Sequence, residues 1–271
     1  MHLTALVLDM DGVLWRGETA MPGLADFFAT LRRRKLNFML ATNNATKIAT
    51  QYTEKLARFG VAVPPEQILT SAEATAGFLR QQYPAGARIF VVGEQGLHLA
   101  LAAQGFELLP NNGRLDPTAR ADLVVVGFNR HATYTDMATA AYLIRQGARF
   151  IGTNPDKTFP SEIGPLPGAG SLLAFVETGS GQAPTIVGKP GRVLFDEAVR
   201  RLGTRPEQTA MVGDRLETDI AGGQNAGLRT ILLLSGVTGR EELARSPIHP
   251  DLVLADITAL AAYLENDQPT S

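Results

Sequence analysis

Short apolar runs alternate with amphipathic stretches along most of the 271-residue chain, and this alternation constrains the fold more than any other feature. Apolar runs of this length that end at polar or glycine residues are typical of buried strands. The predicted strands cover residues 3–8, 37–41, 88–92, 123–127, 150–152, 185–187, 209–212, 230–234 and 252–254. The predicted helices cover residues 23–35, 46–59, 72–82, 135–146, 170–178, 191–202 and 216–226. This order predicts an α/β protein with parallel sheets that helices cover on both faces.

The alternation runs twice, which predicts two domains. Residues 80–184 contain their own set of strands and helices, and the polar residues 179–182 before Ala183-Pro184 are typical of a linker. We therefore predict a discontinuous core domain, formed by residues 1–79 and 185–271, into which a second α/β domain of residues 80–184 is inserted. A single large sheet with long loops is the alternative.

Composition excludes several kinds of chemistry and partner. The net charge of −2 gives no electrostatic reason to expect nucleic acid or an anionic membrane as a partner. The absence of cysteine excludes disulfides, thiolate catalysis and cysteine-ligated metals. No apolar run approaches the ~20 residues of a membrane span, and no signal-peptide cleavage site follows the first strand, so we expect a cytoplasmic protein. The histidines show no metal-ligand spacing; they are His2, His98, His131 and His249.

The first predicted strand ends in two acids, Asp9 and Asp11, followed by Gly12. Ligands of parallel sheets bind at the carboxyl ends of the strands. Residues two apart in a straight strand point to one face, and two carboxylates that close repel each other unless a cation lies between them. The pair indicates a metal site or an acid–base pair. A polar strand end with a turn at Gly12 is the alternative.

Two further strand ends carry groups suited to phosphate. Thr42, Asn43 and Asn44 follow the second predicted strand and offer hydroxyl and amide donors. Capping of the next helix is the simpler alternative for these residues. Lys189 stands just before the helix that begins near Pro190, and its ammonium suits a phosphate or a carboxylate. An isolated lysine is more often a solvated surface group.

A fourth strand end carries Gly213 and Asp214, with Asp219 five residues further on. Asp219 is suited to orient a lysine or a metal-bound water, although an acid in the first turn of a helix would have the same position. Together the four strand ends predict a hard-oxygen site for Mg²⁺ beside a set of phosphate donors. The residues concerned are Asp9 and Asp214 for the metal, and Thr42 and Lys189 for the phosphate.

The order of these motifs resembles that of the haloacid dehalogenase (HAD) superfamily, over residues 3 to about 256. The motifs that carry the resemblance are Asp9-Met10-Asp11-Gly12-Val13, Thr42-Asn43-Asn44, Gly188-Lys189-Pro190 and Gly213-Asp214 with Asp219. Residues 9–17 and Gly152-Thr153-Asn154-Pro155-Asp156 resemble one branch, the NagD-like or para-nitrophenyl phosphatase subfamily (class IIA, C2 cap). The resemblance implies a Rossmann-like parallel-sheet core with an inserted α/β cap, here residues 80–184.

The resemblance also implies a role for each motif residue. Asp9 is expected to be the nucleophile, forming an aspartyl-phosphate. Asp11 is expected to protonate the leaving oxygen and then to take a proton from the attacking water. The implied metal ligands are Asp9, Asp214 and the backbone carbonyl of Asp11. Asp219 is expected to orient the groups around the metal without binding it. The implied phosphate-binding residues are Thr42, Asn43, Asn44 and Lys189.

The cap residues expected to contact the leaving group, and so to set specificity, are Arg130, Thr153, Asn154 and Asp156. Ordinary turn chemistry is the alternative for Asn154-Pro155-Asp156. The implied activity is Mg²⁺-dependent hydrolysis of small-molecule phosphate monoesters through a phosphoaspartyl intermediate, so the expected partner is a small phosphorylated metabolite. Caps of this kind often mediate dimers in relatives, which is compatible with a homo-oligomer.

Two alternative functions stay open at the level of the sequence. A phosphotransferase or mutase of the same superfamily would differ only in the acceptor that reaches the phosphorylated Asp9. A non-catalytic ligand-binding regulator would retain the fold, but it would be expected to have lost the motif acids. Asp11 favours phosphate ester hydrolysis over carbon–halogen cleavage, and no Gly-x-Gly-x-x-Gly follows the first strand to support dinucleotide binding.

Overall fold

The computed structural model describes residues 3–161 and 164–266, and they divide into two compact units. The first unit comprises residues 3–42, 49–69 and 194–266, and the second comprises residues 43–48, 70–161 and 164–193. None of the helices in these ranges is both long and apolar enough to cross a membrane.

A six-stranded sheet forms the centre of the first unit. In chain order, its strands are β1 (Ala5–Leu8), β4 (Asn37–Thr42), β5 (Ile68–Thr70), β13 (Thr209–Gly213), β14 (Arg229–Leu233) and β15 (Leu252–Leu254). Their spatial order is β15-β14-β13-β1-β4-β5, and the pairs from β15 to β4 are parallel. A short antiparallel hairpin, β2 (Trp15–Arg16) with β3 (Thr19–Ala20), follows β1.

Helices accompany the sheet of the first unit, and all of them except residues 240–245 contain buried residues. They are α1 (Leu24–Arg33), α2 (Ala49–Arg58), α8 (Ala221–Asn225), α9 (Arg240–Arg245) and α10 (Ile257–Asn266). All four residues of β1 are buried, as expected for a parallel strand covered on both faces. Helix α1 buries Leu24, Phe27, Phe28 and Leu31, whose spacing places them on one face of the helix.

The second unit contains a separate parallel sheet of five strands. Its strands are β6 (Arg88–Val92), β7 (Glu107–Leu108), β8 (Leu123–Val126), β9 (Arg149–Gly152) and β12 (Thr185–Ile186), in the spatial order β12-β9-β8-β6-β7. A hairpin pairs β10 (Thr158–Ser161) with β11 (Gly164–Pro167). Its helices are α3 (Ser71–Gln82), α4 (Gln95–Ala103), α5 (Tyr134–Arg145) and α6 (Ala169–Ser180), while α7 (Arg192–Leu202) runs on into the first unit.

Local hydrogen bonds fix where two of these helices begin. The Thr70 hydroxyl accepts from the backbone N–H of Glu73 at the start of α3. At the start of α5, Thr133 and Asp136 form a reciprocal capping box. Both arrangements satisfy backbone donors that have no partner within the helix itself.

The predicted α/β class with parallel sheets is confirmed, and each predicted strand is present with ends that differ by two residues or fewer. The hydrophobic pattern of the sequence did not predict α4, α9, α10 or the short strands. The α4 sequence is apolar on most sides, so it has no clear period, and two-residue strands are too short to show alternation. Residues 216–220, predicted as part of an α-helix, form a π-helical turn.

Phe28 offers a test of the core of the first unit. Its ring is fully buried and meets Phe27 and Phe38 edge-on, with centroids 5.7 and 5.2 Å away. We expect Phe28→Ala to lower the free energy of unfolding by about 3–5 kcal/mol in urea denaturation, because it leaves a cavity in close-packed surroundings. Phe175→Ala, at a 46 % exposed ring, is the control. A loss for Phe28→Ala no larger than that of the control would contradict this packing.

Candidate active site

Three carboxylates converge at one edge of the first unit's sheet. Asp9 follows β1 directly and Asp214 follows β13, and these strands pair in parallel with Leu8 opposite Val212. One carboxylate oxygen from each of Asp9, Asp214 and Asp219 lies within 4.8 Å of the other two. Asp9 is 9 % exposed, Asp214 1 % and Asp219 0 %. Three buried acids this close favour a bound cation, because their charges otherwise repel.

Asp219 is held in the π-helical turn of residues 216–220. The turn is closed by the N–H of Ala221, which donates to the carbonyl of Leu216, and such turns are frequent at functional sites. Oδ2 of Asp219 accepts from the backbone N–H groups of Asp214 at 3.2 Å and Arg215 at 3.1 Å. The Asp219 carboxylate therefore fixes the backbone that carries Asp214.

Two glycines leave the space that the Asp214 carboxylate occupies. A Cβ on Gly12 would lie 2.3 Å from Oδ2 of Asp214, and a Cβ on Gly236 would lie 1.9 Å from it. The N–H of Val237 donates to the same Oδ2 at 2.7 Å, and the N–H of Thr238 donates to the Asp214 carbonyl at 3.0 Å. These hydrogen bonds hold the Asp214 carboxylate in one place. The two loops can approach it this closely only because residues 12 and 236 are glycines.

This acidic cluster is suited to a hard divalent cation. Its donors are all carboxylate oxygens, the ligands that Mg²⁺ and Ca²⁺ prefer. The cluster contains none of the described histidines, and His2 lies outside the described residues. The carboxylate of Asp11 is also outside the cluster, and the resemblance had implied its backbone carbonyl rather than its side chain.

Asp11 is exposed and is bound to the hairpin that follows it. Strand β1 ends at Leu8, so the same-face rule for a straight strand does not govern Asp9 and Asp11. Instead, Oδ1 of Asp11 accepts from the Trp15 indole N–H at 2.8 Å. The N–H of Gly12 also donates to the Trp15 carbonyl at 2.8 Å. Trp15 thereby holds the carboxylate that the sequence predicts as the general acid.

Helix α2 contributes two buried polar side chains behind Trp15. The Tyr52 ring stacks on the indole with centroids 6.4 Å apart. The Lys55 ammonium lies 4.7 Å from the centroid of the indole and donates to the carbonyl of Gly17 at 2.6 Å. Burial, aided by the charges of Asp11 and Asp9 and opposed by a hydrogen bond with Thr42, raises the pKa of Tyr52 above its ordinary value. Tyr52 is therefore a neutral group near the acids.

The remaining predicted motif residues follow β4 or lie in the second unit. Thr42 is the last residue of β4 and is buried. Asn43 and Lys189 are joined within the second unit, where the Lys189 N–H donates to Oδ1 of Asn43 at 2.8 Å. Asn44 closes a local turn, with Oδ1 accepting from the Thr46 N–H at 2.8 Å. The structure thus brings Asn43 and the Lys189 loop together.

The predicted specificity residues fall into two groups within the second unit. Arg130 pairs with Glu94, its Nε donating to Oε1 at 2.9 Å. Asn154 and Asp156 both hydrogen-bond to Asn43, through its carbonyl and its Nδ2 respectively. Thr153, fully buried beside them, accepts from Nδ2 of Asn154 at 3.3 Å.

Three features of the site were not predicted from the sequence: Trp15, Tyr52 and the loop that contains Gly236. Trp15 is the only tryptophan of the chain and lies four residues after Asp11, a spacing that could have drawn attention to it. Gly236 lies two residues after the predicted strand at residues 230–234. Ligands bind at the carboxyl ends of parallel strands, so the argument applied to the other strand ends would also have pointed to this loop. Tyr52 leaves no comparable signal, because an aromatic residue on an amphipathic helix usually belongs to the core.

Comparisons with known proteins identify the family of this chain. A family model described as haloacid dehalogenase-like hydrolase matches residues 6–107, and a second model of HAD-like hydrolases matches residues 186–260. Dihydroxyacetone phosphatase from Corynebacterium glutamicum is 40 % identical over 253 residues, which are 93 % of this chain and 89 % of that protein. The structure of NagD from Escherichia coli K-12 is 36 % identical, with a TM-score of 0.86, over 95 % of this chain and 98 % of that one.

A third relative was solved with a metal. The structure of glycerol phosphate phosphatase from Mycobacterium tuberculosis, in complex with magnesium, is 33 % identical with a TM-score of 0.86, over 96 % of this chain and 76 % of that one. The chain belongs to the haloacid dehalogenase-like hydrolases, in their NagD-like branch. The predicted enzyme class, a phosphoric monoester hydrolase, is confirmed with it.

Gly236 allows a direct test of the acidic cluster. We expect Gly236→Ala to displace the Asp214 carboxylate and to weaken Mg²⁺ binding by about 10–100-fold in a calorimetric titration, as loss of a ligand's support does. Gly239→Ala is the matched control, because a Cβ there meets nothing within 4 Å. Equal Mg²⁺ affinities for the two variants would show that Mg²⁺ binding does not depend on the space around the Asp214 carboxylate.

Proposed function

We propose that this protein is a Mg²⁺-dependent phosphatase that hydrolyses phosphate monoesters of small metabolites through a phosphoaspartyl intermediate on Asp9. The observation that carries the proposal is the convergence of Asp9, Asp214 and Asp219 at the carboxyl edge of a parallel sheet, in a chain of this family. Ligands of such sheets bind at that edge.

Asp9, Asp214 and the backbone carbonyl of Asp11 would hold the cation, and Asp219 would fix the Asp214 loop. The oxygen-only donors and the glycines around Asp214 fit a hard divalent ion. When bound, Mg²⁺ offsets the negative charge that otherwise opposes the approach of a carboxylate to a phosphate.

In the first half-reaction a carboxylate oxygen of Asp9 attacks phosphorus. The bond between phosphorus and the ester oxygen breaks as the new bond to Asp9 forms, and Asp11 gives its proton to the departing alcohol. Lys189 and Thr42, with Asn43 and Asn44, are assigned to the phosphoryl oxygens. This assignment is supported by the order of the motifs and by the junction of Asn43 with the Lys189 loop.

In the second half-reaction water attacks the phosphorus of the aspartyl-phosphate. The carboxylate of Asp11 takes the proton of that water, and the bond between phosphorus and Asp9 breaks. Inorganic phosphate leaves, and Asp9 and Asp11 return to their starting protonation states. The Trp15 indole, which holds Asp11 at 2.8 Å, supports this use of Asp11.

The proposed substrates are small phosphorylated metabolites. Relatives of this chain include dihydroxyacetone phosphatase and glycerol phosphate phosphatase, so three-carbon phosphates are the first substrates to test. We assign residues 80–184 to a cap domain that selects the leaving group, and 1–79 with 185–271 to the catalytic core. Arg130 is the proposed cap residue for contact with the leaving group.

Replacement of the nucleophile tests the covalent mechanism. We expect Asp9→Asn to lower kcat by at least about a thousandfold on every ester, because an amide oxygen is a poor nucleophile. Asp26→Asn, at an exposed acid of α1, should keep wild-type activity. Mass spectrometry of acid-quenched wild-type enzyme should find phosphate on the peptide that contains Asp9. Activity of Asp9→Asn above a tenth of wild type would rule out this nucleophile.

Replacement of Asp214 tests the metal site separately from the nucleophile. We expect Asp214→Asn to raise the Mg²⁺ concentration needed for half-maximal activity by more than about tenfold, since a charged ligand is lost. The same Asp26→Asn variant is the control. If titration calorimetry finds the wild-type Mg²⁺ affinity in Asp214→Asn, Asp214 is not a metal ligand.

A further inference from the structure

The Asn43 side chain joins two loops of the second unit. Its Nδ2 donates to the Asp156 carboxylate, at 3.1 Å to Oδ1 and 3.3 Å to Oδ2. The same Nδ2 donates to the carbonyl of Lys189 at 2.9 Å, and Oδ1 accepts from the Lys189 N–H at 2.8 Å. The carboxamide of Asn43 thus bonds both backbone groups of Lys189, and Asp156 fixes the carboxamide.

Asn154 holds the backbone of Asn43 on its other side. Nδ2 of Asn154 donates to the Asn43 carbonyl at 2.7 Å and to the Thr153 hydroxyl at 3.3 Å. Its Oδ1 accepts from the Asp156 N–H at 3.2 Å. Both N–H bonds of the amide are therefore used within the protein, and the side chain is only 4 % exposed. An amide with these contacts has no donor left for a leaving group.

The backbone around this junction is closely packed. The Gly188 N–H donates to the Thr153 carbonyl at 2.8 Å. A Cβ on Gly188 would lie 2.4 Å from that carbonyl oxygen and 2.7 Å from Oδ1 of Asn43. The segment of residues 153–156 is thus packed directly against the loop that presents Lys189.

We infer that Asn154 and Asp156 are positioning residues, which fix Asn43 and Lys189 for the phosphoryl group, rather than contacts for the leaving group. The inference rests on the proposed function, in which Asn43 and Lys189 bind the phosphoryl oxygens. It replaces the specificity role that the sequence predicts for these two residues. Because they act on the part common to all substrates, their loss affects every ester equally.

Two isosteric variants, Asn154→Asp and Asp156→Asn, test this role. The first replaces the amide donor to the Asn43 carbonyl with a carboxylate oxygen, and the second removes the charge that Asn43 faces. The quantities to measure are kcat/KM on a panel of alkyl, sugar and aryl phosphates and the inhibition constant of inorganic phosphate. Inorganic phosphate has no leaving group, so its affinity reports the phosphate site alone.

A positioning role predicts that kcat/KM falls by the same factor on all esters, about tenfold or more, while the inhibition constant of phosphate rises. Asn112→Asp is the matched control, because Oδ1 of Asn112 accepts from the N–H two residues on, as that of Asn154 does. It should leave both quantities unchanged. Circular dichroism of each variant confirms that the protein is folded, and Asp156→Asn alone suffices if Asn154→Asp does not fold.

Three results would overturn the inference: a changed ranking of esters, an unchanged inhibition constant of phosphate, or no effect of either variant. Lys189→Met, measured in the same series, tests the proposed function itself. If Lys189→Met leaves the inhibition constant of phosphate unchanged, the assignment of the phosphate site is wrong. If it raises that constant while the Asn154 and Asp156 variants do not, only the positioning role is wrong.

Discussion

The parallel pairing of β1 with β13 on one side and β4 on the other is the constraint on which the candidate active site depends. Leu8 pairs with both Val212 and Leu40, so the three strands run in register toward the same edge of the sheet. Their interiors are apolar and buried. Polar groups can therefore occur only where the strands end, and the parallel direction places those ends side by side.

This arrangement gathers negative charge at a buried edge, and the local backbone offsets part of the cost. Hydrogen bonds from N–H groups stabilise the ionised form of a carboxylate, and both Asp214 and Asp219 receive them. The hydrogen bonds also determine direction, because each carboxylate is fixed by donors on a neighbouring loop. The protein itself thus orients the carboxylates of Asp214 and Asp219. The Tyr52 phenol nearby stays neutral chiefly because burial raises its pKa, and the charges of Asp11 and Asp9 add to that effect.

The sequence was sufficient for the fold class, for all strands of both large sheets except the edge strands β5 and β7, and for the polar residues at the strand ends. Those features follow from short apolar runs and from the rule that ligands bind at the carboxyl edge, which are both local signals. The sequence could not reveal that Asn154 bonds the carbonyl of Asn43, because the two residues are 111 positions apart and both read as turn residues. Nor could it place Trp15 on Asp11, since the hairpin of β2 and β3 is too short to show a strand pattern. Contacts of this kind are set by tertiary packing.

The glycines at positions 12, 213 and 236 have a consequence for how such an enzyme can diversify. Each one faces a carboxylate of the cluster so closely that a single added methyl group would collide with it. In a random library screened for new substrates, we therefore expect variants with a substitution at any of these three positions to be lost. Libraries that keep them as glycine and vary exposed residues elsewhere would leave the acidic cluster intact.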